Sequence, residues 1–212
     1  MTSTKQVVDI INEIADKIEE NKLYLTELDA SIGDGDHGLN LSKGFGAVKE
    51  AFNKSESKDI GDVLKKTGMA LVSNVGGASG PLYGTAFMKA AVTLSGKQEM
   101  NIQDFTNALK AAIDGIKLRG KAVLGEKTML DALLPAYEKA LSLLEKGETH
   151  IKVLEEAWKA AEKGALATEG ISATKGRASY LGDRSIGHRD PGAASAAIIL
   201  KTIYEAVCSF NK

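Results

Sequence analysis

Apolar residues return along this chain every three or four positions. Near the start, Val7, Ile10, Ile11, Ile14 and Ile18 fall on one stripe, the spacing of an amphipathic helix. The same spacing recurs at Ile102, Phe105, Leu109, Ala112, Ile113 and Ile116, behind a candidate N-cap at Asn101. Val153, Leu154, Ala157, Trp158 and Ala161 form a third stripe, with Glu155, Glu156, Lys159 and Glu162 on the wet side. Asp190-Pro191 opens a last helix, a cap followed by proline where no N–H is needed, and apolar residues then run from Ala193 to Phe210. Further helices fit residues 39–52, 60–75, 82–94 and 129–144, with Pro135 predicting a kink or a late start in the last of these. The nearest thing to a strand is KLYLTEL at Lys22–Leu28, and it is brief. These patterns predict an all-α fold of about eight helices in a single domain, residues 1–212.

Composition changes this picture little. An aromatic content of 5% suits close helix–helix packing, and a net charge of −1 gives no strong pull toward nucleic acid or anionic membrane. A single cysteine, Cys208, excludes an internal disulfide framework and fits a reducing cytosol, so a cytoplasmic protein is expected. The N-terminus turns acidic within an amphipathic repeat, unlike a secretory signal, and no uninterrupted apolar run approaches the roughly 18 residues of a membrane span.

The connectors carry more information than the helices. Four are rich in glycine, which is costly to order and suits backbone that approaches a ligand or takes positive φ. The first, DASIGDGDHGLN at Asp29–Asn40, contains G-x-G-x-x-G at Gly33, Gly35 and Gly38, yet no strand precedes it and no βαβ unit surrounds it. GKAVLGEKT at Gly120–Thr128 resembles a P-loop with a glutamate inserted before Lys127, again without a strand. Neither passes as a phosphate loop of the usual kind.

Asp29, Asp34 and Asp36 give a better account of the first connector. Two carboxylates about 6 Å apart repel by roughly 3 kcal/mol at an effective dielectric near 20, so three converging call for a cation. Oxygen donors without thiolates fit Mg²⁺, Mn²⁺ or Ca²⁺ rather than Zn²⁺. An EF-hand fails because the twelfth position from Asp29 is Asn40 and from Asp34 is Phe45. Mg²⁺ remains, and a loop that repels bare phosphate can hold it through a metal.

Four stretches together resemble the nucleotide-binding L subunits of dihydroxyacetone kinases: GDGDHGLN at Gly33–Asn40, GGASGPLYGT at Gly76–Thr85, GEKTMLDALLP at Gly125–Pro135, and KGRASYLGDRSIGHRDPGA at Lys175–Ala193. The resemblance runs from Asp29 to Ala194. It implies a barrel of eight antiparallel amphipathic helices with ADP or ATP at one open end. Asp29, Asp34 and Asp36 match the residues that hold two Mg²⁺ ions on the nucleotide phosphates. His37, Gly38, Leu39 and Asn40 match the helix start beside them, and Ala78 and Ser79 the turn that contacts phosphate. Gly120, Thr128 and Met129 resemble elements near the adenine, although Met129 also reads as an ordinary core methionine. Arg177 matches a capping loop, in the catalytic role of stabilising charge on a transferring phosphoryl group. Asp190, Pro191 and Gly192 match a segment that closes on the nucleoside. Lys175, Arg184 and Arg189 then belong to that lid rather than to a nucleic-acid patch.

The domain that binds dihydroxyacetone has no room in 212 residues. The resemblance therefore implies a separate phosphotransferase subunit whose bound nucleotide is rephosphorylated by a phosphohistidine carrier, the M subunit. The nucleotide then donates to dihydroxyacetone on the K subunit. Nucleic acid and membrane are not expected partners, and the sequence admits a homodimer. Two alternatives stay open: the nucleotide-binding part of a fatty acid kinase, and a non-catalytic ADP-dependent sensor that works through protein contacts.

Overall fold

The computed structural model describes residues 1–210; the last two residues of the expected 1–212 domain lie outside it. Among the described residues there are nine α-helices: α1 (Thr4–Glu20), α2 (Lys22–Ile32), α3 (His37–Lys54), α4 (Ile60–Asn74), α5 (Ser79–Thr93), α6 (Ile102–Gly120), α7 (Leu130–Glu145), α8 (His150–Ala167) and α9 (Pro191–Ser209). Two 3-10 segments, Thr168–Gly170 and Arg177–Ser185, lie between α8 and α9. The helix starts follow local chemistry. Ser3 and Gln6 form a capping box on α1, Asn101 and Asp104 another on α6, and Asp190 caps α9 with Pro191 behind it.

Eight of these helices alternate in direction and pack in a ring, each against its neighbour from α3 to α9, with α1 closing the gap between α9 and α3. Their apolar stripes meet inside; Ile14, Ile18, Phe45, Ile60, Leu71 and Ile113 are all buried there. The expected all-α barrel is the fold observed. Helix α2 is an addition to the eight. Its Lys22 carbonyl faces Gly38 in the first turn of α3, while Asp29 and Ile32 border a cavity at the same end. It thus lies across the barrel mouth, and the stretch Lys22–Leu28 is helix rather than strand. The strands Thr2–Ser3 (β1) and Glu99–Met100 (β2) pair antiparallel at the opposite end.

Helix α9 is long and apolar enough to cross a bilayer by length and composition, which a search for uninterrupted apolar runs does not find. Here it is a barrel stave against α1, α7 and α8, with Ala193, Ala194, Ala196 and Ala197 buried.

Pro135 delays nothing: α7 begins at Leu130 and carries the proline inside. A proline cannot donate to the carbonyl four residues back. That carbonyl, of Asp131, instead faces Gly164 of α8, where an added Cβ would lie 2.0 Å from the oxygen. Gly164→Ala should therefore push α7 and α8 apart and cost about 2 kcal/mol, the usual scale of overpacking. Urea unfolding of the variant checks this; an unchanged midpoint would mean the two helices slide freely.

Candidate functional site

Because the staves alternate, α3, α5, α7 and α9 all begin at one end of the barrel. Their first residues surround a cavity of about 400 Å³, within the range of small-molecule sites. Helix N-termini carry unpaired N–H groups and partial positive charge, so four of them facing one space make an anion-favouring cup.

Three carboxylates stand at its rim. Asp29, from the last turn of α2, and Asp34 and Asp36, from the turn into α3, bring one oxygen each to within 4.8 Å of one another. Asp29 is buried and anchored: its Oδ2 accepts the N–H of Asp36 at 2.8 Å and of His37 at 3.1 Å. The glycine pattern in this loop now has separate explanations. A Cβ at Gly33 would strike the Asp29 carboxylate, Gly35 sits at φ +71°, and Gly38 packs on the Lys22 carbonyl. All three glycines build a carboxylate cluster rather than a phosphate loop.

Thirteen of the sixteen expected site residues line the cavity: Asp29, Asp34, Asp36, His37, Ala78, Ser79, Gly120, Thr128, Met129, Arg177, Asp190, Pro191 and Gly192. Gly38, Leu39 and Asn40 do not line it. Gly38 is packed against α2, the Leu39 side chain is exposed, and the Asn40 amide lies beside Gly76. Arg177 places Nη2 at 2.8 Å from Asp34 Oδ2, so the capping loop reaches down to the acidic rim. That loop is staked to α2 by a small cluster of Ile32, Ala173 and Ala178 with Leu181 against it. Of the other lid cations, Arg189 pairs with Glu162 and Tyr24, and Lys175 lies 4.0 Å from Glu126.

Several residues of the site escaped sequence reasoning. Lys127, noticed only as a displaced P-loop lysine, is buried at φ +62° and directs Nζ to the carbonyls of Thr168, at 2.5 Å, and His188. It ties the segment before α7 to the segment before α9. Burial lowers its pKa, while Asp190, Glu169 and Asp131 pull it back up. Asp131 holds the same segment by accepting N–H from Gly125 and Thr128. Tyr83 and Ser195 lie behind His37, in contact with it or with each other.

Two buried groups titrate in opposite senses. Burial lowers His37 from 6.5 to about 4, against a smaller upward pull from Asp29. Burial raises Asp190 from 3.8 to about 7, helped by Asp131 and Asp29 and opposed by the Ala193 N–H and Lys127. The depressed histidine stabilises the fold above pH 6.5 and loses that contribution as pH falls toward 4. The raised aspartate does the reverse: its contribution is complete below 3.8 and is lost as pH rises through 7. Between these limits the two slopes cancel. Asp190→Asn keeps a capping oxygen and removes one slope, so in metal-free, nucleotide-free protein its stability should fall by about 2 kcal/mol from pH 6.5 to 4.5 while the wild type stays nearly level. Parallel melting curves for the two proteins across that range would refute this.

The ring of alternating helices with an acidic, helix-tipped cup defines an all-α domain of the DAK2 class; the DAK2 domain matches residues 31–205. The chain is 44% identical to the PEP-dependent dihydroxyacetone kinase ADP-binding subunit DhaL of Escherichia coli, over 95% of this chain and 96% of that one. It is 40% identical to the PTS-dependent counterpart of Lactococcus lactis, over 98% of this chain and 100% of that one. The crystal structure of the dihydroxyacetone kinase from C. freundii in complex with AMP-PNP and Mg²⁺ superposes with a TM-score of 0.71 at 26% identity, over 94% of this chain and 33% of that one. The chain belongs to the DAK2 family and, within it, to the DhaL subunits of phosphoenolpyruvate-dependent dihydroxyacetone kinases.

Proposed function

We propose that this chain is the cytoplasmic, nucleotide-carrying subunit of a phosphoenolpyruvate-dependent dihydroxyacetone kinase. ADP stays in the cup as a coenzyme, a phosphohistidine-bearing M subunit converts it to ATP, and the γ-phosphoryl passes to dihydroxyacetone on a K subunit. The observation that carries this reading is the meeting of three carboxylates with four helix N-termini at one cavity.

The donor set fits hard divalent cations. Its ligands are all carboxylate oxygens, and Asp34 is paired with an exposed guanidinium. Asp29, Asp34 and Asp36 would hold two Mg²⁺, which supply neutralising charge for the phosphates. The chain's own groups then divide the remaining work. In the first turn of α3, the His37 N–H is spent on Asp29 and the Asn40 N–H on Asp36, and Gly38 and Leu39, which stand behind the cavity lining, would lend the phosphates the partial positive charge of that helix start. Ala78 and Ser79 offer the start of α5 from the opposite side. Gly120, Thr128 and Met129 form a wall for the adenine, with Asp190, Pro191 and Gly192 closing on the nucleoside. The Asn40 amide lies beside the Gly76 turn, from which it would reach toward the phosphates. Arg177 stands where charge develops on a transferring phosphoryl group.

Native mass spectrometry of the purified protein tests the reading. One ADP and two divalent ions per chain are expected. Protein recovered without nucleotide, and unable to take up ADP with Mg²⁺, overturns it. Phosphoryl transfer to dihydroxyacetone in a system reconstituted with K and M subunits then separates a carrier from a sensor.

A further inference from the structure

Between α8 and α9 the chain leaves the barrel at Thr168 and rejoins it at Asp190, and this excursion carries the lid. A buried ammonium closes its neck. Lys127 Nζ donates to the carbonyls of Thr168, at 2.5 Å, and of His188, so the segment before α7 grips both sides. The sides also bind each other: the Asp190 N–H donates to Thr168 Oγ1 at 2.9 Å, and the Gly187 N–H to the Glu169 carbonyl at 2.7 Å. Glu126, next to Lys127, reaches further up the lid. Its carbonyl accepts the Thr174 N–H at 3.4 Å, and its Oε1 accepts the Thr174 hydroxyl at 3.2 Å and lies 4.0 Å from Lys175 Nζ. Its Oε2 accepts the Val123 N–H at 2.8 Å.

Resting on the carrier role and on the transfer role of Arg177 proposed above, we infer that Glu126 is a positioning residue for phosphoryl transfer: it holds the lid at Thr174 and so sets how far Arg177 reaches into the cup.

Arg177 lies three residues beyond Thr174, across Gly176 at φ +63°. Glycine lets that link turn freely, so the guanidinium is only as well placed as the points that hold the chain on either side. On the far side Ala178 packs with Ile32 of α2. On the near side the hold is that of Glu126 on Thr174 and Lys175, since the neck lies too far along the chain to place the guanidinium by itself. Glu126 is a firm post. Gly125 and Thr128 around it donate their N–H groups to Asp131, and Lys127 locks the chain between them. It does not line the cavity, so it acts through the lid rather than by touching nucleotide. Misplacing a reacting geometry by about 1 Å costs roughly a hundredfold in rate, so even a hold of modest energy bears on transfer. The glutamate that spoils GKAVLGEKT as a P-loop thus has a task of its own.

Glu126→Ala frees Thr174 and leaves the neck intact. In a system reconstituted with K and M subunits, at saturating ADP and partners, it should slow phosphoryl flow by roughly tenfold, the scale of one hydrogen bond to a charged group. Its affinity for ADP with Mg²⁺ should stay level. Glu126→Gln keeps an oxygen for the Val123 N–H and an amide that meets the Thr174 hydroxyl, so it should recover most of the rate. Because Glu126 works through Arg177, Glu126→Ala should add nothing to the loss already present in Arg177→Ala. A merely structural contact would multiply the two losses. Multiplied losses, a Glu126→Ala variant as fast as the wild type, or a Gln variant as slow as Ala overturns the inference, while wild-type phosphoryl flow keeps the carrier role standing. Wild-type protein that binds no ADP overturns that role, and this inference with it.

Discussion

Asp34→Ala should yield a folded barrel that leaves purification without nucleotide. Asp34 is the right aspartate to remove because it is exposed and, among the described residues, is paired with the Arg177 guanidinium alone. An exposed pair of this kind contributes about 0–1 kcal/mol, so breaking it should leave the fold intact. Asp29 is a poorer choice, since its carboxylate also holds the N–H groups of Asp36 and His37 and its loss would loosen the turn. Attraction between a carboxylate and a divalent cation about 4 Å away is about 8 kcal/mol at an effective dielectric of 20. If desolvation returns half of that, about 4 kcal/mol remains, or roughly a thousandfold in affinity. Circular dichroism should match the wild type while calorimetry with ADP and Mg²⁺ gives no binding isotherm. A variant that still co-purifies with one ADP per chain would remove the acidic cluster from the binding site.

Arg177→Ala carries the second large effect, and it should separate binding from transfer. The guanidinium sits on a loop fastened to α2 through Ile32, Ala173 and Ala178, so its reach into the cup depends on the lid rather than on a helix. Beside Asp34 it stands where positive charge is called for, and with Asp34 committed to a cation it can face phosphoryl oxygens instead. Arginines that stabilise a transferring phosphoryl group are worth about 10³–10⁵ in rate. In a reconstituted system with K and M subunits, Arg177→Ala should slow phosphoryl flow to dihydroxyacetone by about a thousandfold at saturating partner concentrations. Its affinity for ADP with Mg²⁺ should change by less than about tenfold, the loss expected for one charge-assisted hydrogen bond. Arg177→Lys restores charge without the planar fork and should recover only part of the rate. Equal losses in affinity and rate would reduce Arg177 to a binding residue.

Much of the barrel was legible because its staves keep a clean period. Ile10, Ile14 and Ile18 declare one face, and Asn101 and Asp190 mark helix starts that form as caps. Helix α2 was hidden for a physical reason. Its buried positions are Leu25, Asp29 and Ile32, a helical spacing in which the middle member is a carboxylate, while the apolar Leu23 and Tyr24 face outward. The function that placed an aspartate on the inner face erased the signal of the helix bearing it. The carboxylate trio could be read from one short segment, since its charges and glycines are neighbours in sequence. Lys127 and the line from Tyr83 through Ser195 to His37 could not, because their partners lie 41 to 158 residues away. Small and hydroxyl residues on a core face look like packing until a partner is seen.

The ribbon joining Thr2–Ser3 to Glu99–Met100 sits at the end of the barrel opposite the cup, about 22 Å from it along the fifteen residues of α5. A fluorophore or surface tether attached ahead of Met1 would therefore leave the mouth facing solution. Immobilised in that orientation, single molecules could be watched as they exchange phosphoryl groups with successive visitors.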